Sequence, residues 1–380
     1  MFLTRLKTFT TVATKDFLKV SNNVISDEGH IKASIDWLLK SFYATNQLGS
    51  AASFSLRSGW GIGYPETTGY IIPTLLNCLS LDYKKEKIIK TCEAAGEWLL
   101  NIQNKDGSFN GYNSKSPFVF DTGQVLFGLA ALYKFTKNKK YLDALNAASN
   151  WLVERQESDG SWVRRAFNNK PHAYYSRVSW GLLVSHQLTK NDLYKAAAVK
   201  NLDWVYGQQQ SNGWFNGCGF FSEDEAVLHT IAYTLQGLLE SGVILKNNKY
   251  IEAVKKSADI LLGFNSKSLV LGFYDCSWRP VKKSLCLTGL AQMGIVWSRL
   301  YEIFNNGAYF NEVDRIIHYL KERQNIKTKN QNIGGGIAGS FPIWGNYLPF
   351  SYPNWANKFF IDLMLLSGLR NNNITLSYVG

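Results

Sequence analysis

Several features that would place a chain quickly are missing from this one. No segment reaches the roughly 18 uninterrupted apolar residues of a membrane-spanning helix. The opening MFLTRLKTFTTVATKDF has no apolar run of signal-peptide length. A soluble, cytoplasmic protein is therefore expected. Cysteine is sparse: Cys78, Cys92, Cys218, Cys276 and Cys286 are odd in number and never stand in CxxC spacing. That argues against a disulfide frame or a zinc knuckle and for reduced core thiols. A set such as His229, Cys286 and Cys276 lacks metal-ligand spacing, so no metal is expected, and no cofactor motif stands out.

What the chain does have is ordinary globular material, 46% hydrophobic and 18% charged, enough for one large core or two smaller ones. Its net charge is +12, from 41 Lys and Arg against 29 Asp and Glu. Such a bias draws anionic partners, whether acidic polysaccharide, phosphorylated sugar or lipid, or a membrane surface, or else it solubilises a Lys-rich exterior. Nucleic acid is not expected, because the lysines lie singly in turns such as KNKK (137–140) and not along one helix stripe.

The strongest signal is a repeat. Trp98, Trp151 and Trp204 stand 53 residues apart, inside AAGEWLLNIQNKDGSF, AASNWLVERQESDGSW and NLDWVYGQQQSNGWF. The pattern A-x-x-W-L-x-x-x-Q puts Ala, Trp and Gln on one helix face, and Gly107, Gly160 and Gly213 supply a stop or turn. Fainter copies carry Trp37, Leu261 and Tyr319 in the Trp position, which makes six units. Between them lie stretches that are apolar nearly all round: 67–81, 121–136, 176–189, 229–242, 287–304 and 354–366. Charged helices thus alternate with buried ones. The expected fold is all-α, an (α/α)6 toroid with the apolar helices as the inner ring and residues 1–380 as a single domain. Residues 1–30 read as an extra N-terminal helix or arm. An open solenoid is the alternative, but it would want polar capping repeats.

QESDGSW (156–162) matches the QxxxGxW repeat of squalene and hopene cyclases, and QNKDGSF (103–109) matches it with Phe for Trp. The stretches PHAYYSRVSWGLL, HTIAYTLQGLLESG, CLTGLAQMGIVW and GSFPIWGNYLPFSYPNWANKFF are similar to a family of bacterial prenyltransferase/squalene-oxidase-repeat proteins found with surface-polysaccharide synthesis genes. The resemblance spans roughly residues 55–365 and implies the toroid fold and a place in capsule or O-antigen synthesis. Terpene cyclisation itself is not expected, because neither a DxDD run nor an Asp-rich helix pair is present.

In such a ring the inner-helix N-termini surround one mouth, where free N–H groups and helix dipoles favour an anion. Glu66, Thr67, Asp121, Thr122, Tyr175, Arg177, His229, Thr230, Thr288, Asn354 and Trp355 fall there. N-capping alone would account for Asp121, Thr67 and Thr230. It accounts less well for NNKPHAYYSR (168–177) or for His229 with Tyr233 one turn later. These are groups for removing a proton beside a uronate carboxylate: His172 or His229 as base, Tyr175 or Tyr233 as acid, Arg177 with Asn168 or Asn169 on the carboxylate. That chemistry looks like toroid polysaccharide lyases, and an epimerase would pass through the same carbanion. The loop 339–360 offers Trp344, Tyr347, Tyr352, Trp355 and Lys358 as a sugar platform, or else a plug between last and first units. Asp275 and Trp278 add a further loop contact.

Two other classes remain open: a glycoside hydrolase with a pair drawn from Glu66, Asp121, Glu223, Asp224, Glu225 and Asp275, and a non-catalytic glycan-binding module. The expected partner is an anionic glycan or a lipid-linked or nucleotide-linked sugar, with peripheral association to membrane polysaccharide machinery.

Overall fold

The structure is a computed structural model that describes residues 2–22, 24–222, 224–264, 269–372 and Gly380. Thirteen α-helices occur among the described residues: α1 Phe2–Phe17, α2 Asp27–Tyr43, α3 Pro65–Asn77, α4 Lys85–Ile102, α5 Val119–Thr136, α6 Lys139–Glu154, α7 Ser176–Thr189, α8 Asp192–Gly207, α9 Leu228–Leu245, α10 Asn248–Gly263, α11 Leu287–Phe304, α12 Gly307–Arg323 and α13 Asn354–Asn372. The odd-numbered helices from α3 to α13 form an inner ring, each packed on the next and α13 on α3. The even-numbered helices surround them. The ring is closed, an α/α toroid, and not a solenoid.

Sequence decides which helix goes inside. In α5 every residue from Val119 to Leu132 is buried, as befits a helix with no polar face. Small residues let these helices touch: a Cβ on Gly128 would lie 2.5 Å from the Gly69 carbonyl oxygen of α3. The outer helices instead carry one buried stripe, such as Tyr141, Leu145, Ala148 and Leu152 in α6.

Inner helices pass to the following outer helix through short turns, closed by Asn138, Asn191, Asn247 and Asn306. Each Asn side chain accepts from the backbone N–H two residues on. Outer helices return to inner ones through long loops. All inner helices therefore begin on one face of the ring, the loop face, and end on the other, the turn face.

The repeated phrase staples neighbouring outer helices. Gln103 Nε2 donates to the Gly107 and Ala144 carbonyls, both at 2.9 Å. Gln156 does the same to Gly160 (3.1 Å) and Ala197 (2.8 Å). Gln209 reaches Ala253 (2.7 Å), and Gln324 reaches Gly335 (2.8 Å) and His30 (3.1 Å). The last of these ties α12 back to α2. Gly107, Gly160, Gly213 and Gly335 have φ of 91, 94, 80 and 85°, in the turn beyond the helix end and not at its cap. At three of the four a side chain would overlap a carbonyl of the next outer helix. The polar work is thus done by Gln and Gly, while the Trp position packs and tolerates Leu261, which is fully buried in α10. Gly160→Ala, strained by its φ and by the Lys200 carbonyl, should cost at least about 2 kcal/mol. Gln156→Ala should cost about 1 kcal/mol through the two lost hydrogen bonds, since Asn201 Nδ2 still donates to the Gly160 carbonyl. Urea unfolding midpoints would measure both.

Short strands knit the loop face: β1 Ser53–Ser55, β2 Gly59–Trp60, β3 Glu225–Val227, β4 Phe273–Asp275, β5 Leu285–Cys286, β6 Ser340–Phe341 and β7 Ser351–Pro353. β3 pairs with β4 and β5 with β6, joining successive loops. β1 pairs antiparallel with β7 in the register Phe54↔Tyr352, and so closes the seam between first and last units. α1 lies across this seam, with Phe9 stacked on Phe350 at 4.7 Å and the Asp16 carboxylate accepting from the Ile343 N–H at 2.6 Å.

Candidate active site

The inner helices α3, α5, α7 and α9 start with N-cap residues that make no side-chain cap bond: Tyr64, Phe118, Tyr175 and Val227. Glu66 and Asp121 are therefore not caps. They sit in the first turns of α3 and α5, 8% and 6% exposed, at the loop-face mouth of the ring. The Tyr64 hydroxyl donates to Glu66 Oε2 and lies beside Asp121, whose Oδ1 has no partner in the protein. Burial pushes the Glu66 carboxyl up to about 7, against the lowering effect of Tyr64 and Arg177. Burial first, then the neighbouring Glu66 charge, holds the Asp121 carboxyl well above the carboxylate range. Two carboxyl groups this close cannot both ionise easily, so the pair retains a proton near neutral pH.

Deeper in the lumen Arg177 is fully buried. Its Nε donates to Gln124 Oε1 at 2.9 Å and its Nη1 to Gln236 Oε1 at 2.7 Å. The guanidinium lies over the rings of Tyr233 (4.9 Å), Trp180 (5.1 Å), Phe127 (5.3 Å) and Phe359 (5.8 Å). No carboxylate forms an ion pair with it among the described residues. Burial lowers its pKa, and a guanidinium nonetheless stays charged inside proteins. Its Nη2 has no partner in the protein, and neither do Gln124 Nε2 or Trp180 Nε1, while the hydroxyls of Tyr70 and Tyr233 lie beside each other. The three unpartnered nitrogens are donors available to an oxyanion.

His229 faces the same space. Its Nδ1 bonds Gln292 Oε1 at 2.6 Å; an amide oxygen only accepts, so Nδ1 carries the proton and Nε2 the lone pair. Burial, with a lesser push from Arg177, drops the imidazole to about 3, so it is neutral. Its ring lies 4.2 Å from Tyr233, 5.3 Å from Tyr347 and 6.4 Å from Trp355, which it parallels. On α13 the buried Lys358 pairs with Asp362 at 2.6 Å, and its pKa falls to about 8, chiefly through burial.

The structure thus gathers Glu66, Asp121, Arg177, His229, Tyr233, Tyr347, Trp355 and Lys358 around one lumen. It does not gather the rest. His172 Nε2 bonds the Phe167 carbonyl at 2.9 Å, and its ring stacks on Tyr174 within the 155–175 loop. Tyr175 lies between the two groups: its hydroxyl accepts from the Phe167 N–H, keeps its own proton, and feels the charges of Asp121 and Glu66. Asn168 is exposed at φ 55°, away from Arg177. Asp275 is bound by Arg279 and by its own turn, and Trp278 packs on Trp214 and donates to the Asn212 carbonyl. Tyr352 and Asn354 belong to the seam: Asn354 Nδ2 bridges Ser50, Ala51 and Thr67. Trp344 is 42% exposed on the loop face. The 339–360 segment is therefore both seal and wall. Glu223 lies outside the described residues, and Asp224 and Glu225 are exposed.

Tyr64, Tyr70, Gln124, Trp180, Gln236 and Gln292 escaped the sequence reading. A usable signal was present for the three glutamines, each a lone amide inside a helix otherwise apolar all round.

Residues 65–221 match the family model of the squalene-hopene cyclase C-terminal domain. No curated protein matches the chain significantly. Among solved structures, an unsaturated glucuronyl hydrolase specific for heparin is similar at TM-score 0.73 and 14% identity, covering 92% of this chain and 98% of that one. A cellobiose 2-epimerase from Bacillus thermoamylovorans follows at 0.69 and 12%, covering 95% and 100%. An unsaturated glucuronyl hydrolase from Streptococcus agalactiae stands at 0.69 and 13%, covering 95% and 96%. At such identities the likeness carries the toroid fold.

Proposed function

We propose that the protein is a glycan-active enzyme that hydrolyses a glycosidic bond of an acidic sugar. The carrying observation is the buried carboxyl pair Glu66 and Asp121, with the Tyr64 hydroxyl bonded to the first and beside the second. Asp121, the carboxyl with the more strongly held proton, donates it to the departing glycosidic oxygen. Glu66, ionised, faces the anomeric carbon. The donors around Arg177 take the substrate's carboxylate or sulfate. The folds of the neighbouring glucuronyl hydrolases support this reading. The surface-polysaccharide setting suggested by the sequence resemblance is consistent with it.

A second reading rests on His229, whose tautomer leaves Nε2 as a base with Tyr233 and Arg177 beside it. Proton abstraction next to a carboxylate would then give epimerisation or elimination. Uronate-containing oligosaccharides separate the outcomes. New reducing ends without an unsaturated chromophore mean hydrolysis, the chromophore means elimination, and altered configuration without cleavage means epimerisation. If no panel member is changed, the enzymatic reading falls.

The pH dependence follows from the pair. Since Glu66 works ionised and titrates at about 7, kcat/KM should fall as pH drops below about 7. A profile flat from pH 5 to about 8 would remove Glu66 from this role.

A further inference from the structure

The turn face repeats a feature of its own. Three short turns place a lysine in the left-handed region at the C-cap of the inner helix, Lys137 (φ 59°), Lys190 (61°) and Lys246 (53°), and in the first turn Lys84 (49°) takes the same conformation at the N-cap of the outer helix. Lys84, Lys137 and Lys190 keep the 53-residue beat of the outer helices. Asparagine or glycine would enter this conformation more cheaply. In the fifth turn Asn305 does so at φ 51°. The segments 82–87, 134–140, 190–195 and 246–249 together hold eleven lysines against three acids, with Asp36, Glu97 and Asp203 of the outer helices pairing with Lys84, Lys140 and Lys249. Adjacent inner helices pack about 8–10 Å apart, so these lysines follow one another around the ring at that spacing. Lys137, Lys190 and Lys246 are exposed and form no ion pair among the described residues. Leu193, 63% exposed in the third turn, adds an apolar contact to the same face.

We infer that the turn face is a docking surface for an anionic lipid bilayer, with the loop-face mouth turned away from the membrane. A ring of separate ammonium groups on the end of a toroid suits a plane of headgroup phosphates. It does not form a groove that would follow a polynucleotide backbone. The lysine turns that look scattered along the sequence are thus stacked on one surface by the repeat. The inference does not depend on the reaction proposed above.

The bland alternative is that each lysine only complements the C-terminal dipole of its inner helix. The triple variant Lys137→Asn, Lys190→Asn, Lys246→Asn decides between them, because asparagine keeps the left-handed turn. The probe is co-sedimentation of the full chain with vesicles of roughly seven parts phosphatidylcholine to three parts phosphatidylglycerol, and with phosphatidylcholine alone. Each basic residue near such a surface gives about a fivefold gain in partition. The wild type should bind the anionic vesicles and not the neutral ones, and should be released by high salt. The triple variant should lose about two orders of magnitude in partition while keeping its unfolding midpoint. A loop-face variant, Arg164→Gln with Lys115→Gln, should bind as the wild type does. Equal binding by wild type and triple variant would overturn the inference. So would equal binding to neutral vesicles, or loss on the loop-face variant alone. A triple variant that loses binding to a model RNA duplex but not to vesicles would assign the face to nucleic acid and also overturn it.

Discussion

Asp121→Asn should lower kcat by about 10³-fold or more while leaving the fold intact or slightly stabilised. The amide matches the carboxyl in shape but cannot give up a proton at the departing oxygen. The stability sign follows from the raised pKa. A carboxyl pushed up on folding favours its protonated form, so its contribution is fully present below the unfolded value of 3.8 and is lost as pH rises through the folded value. Where the pair is ionised it strains the lumen, and asparagine removes that charge. Steady-state kinetics with a thermal melt checks both halves. Activity within tenfold of the wild type would dismiss Asp121 as the acid, whereas loss of activity together with unfolding would mark the position as structural. Tyr64→Phe should show a smaller loss and a displaced pH profile, because the phenol only tunes the pair.

Arg177→Met should separate stability from function. The guanidinium is buried against amides and aromatic rings without a carboxylate, so its removal relieves desolvation while leaving two Gln oxygens unpaired. These effects are each on the order of 1–3 kcal/mol and oppose one another, so the unfolding free energy should change by less than about 2 kcal/mol. Turnover of an acidic substrate should fall by about 10²–10³-fold, the scale for losing a preorganised donor to an oxyanion. A neutral ester of the same saccharide should respond much less. Equal losses on acid and ester would show that Arg177 orders the lumen instead of binding charge. Arg177→Lys keeps the charge but not the fork, and should recover only part of the rate.

The ring was legible because its construction is periodic. A 53-residue beat, alternation of charged and apolar helices, and a Gln with a Gly a few residues on together dictate outer and inner layers without any long-range information. The site was only half legible. Glu66 and Asp121 look like ordinary helix-start acids, and nothing local says that Tyr64 would lie beside both. His172 and His229 look equally loaded in sequence, yet the ring of one packs within its own loop while the other faces the lumen. Asp275 and Trp278 occupy a mouth loop but turn inward to hold it together. Which side chains converge depends on the rotation of each inner helix about its axis, and that is set by packing across the ring. The inward glutamines are the exception, since an amide in an all-apolar helix has to find a polar partner inside.

The β1–β7 seam and the Gln324 clasp also bear on how the chain acquires its structure. An open array of helical pairs grows by adding neighbours and can fray unit by unit from an end. Here the first and last units brace each other, so the array has no loose end from which to unravel. The seam joins residues about 300 positions apart, and the entropy of that closure grows only with the logarithm of the distance. Once neighbouring units have formed, most of that cost is already met. Folding should therefore proceed locally around the circle and finish in one late zippering step. Weakening the seam should mainly speed unfolding, and a lesion in any single unit should be felt by all six.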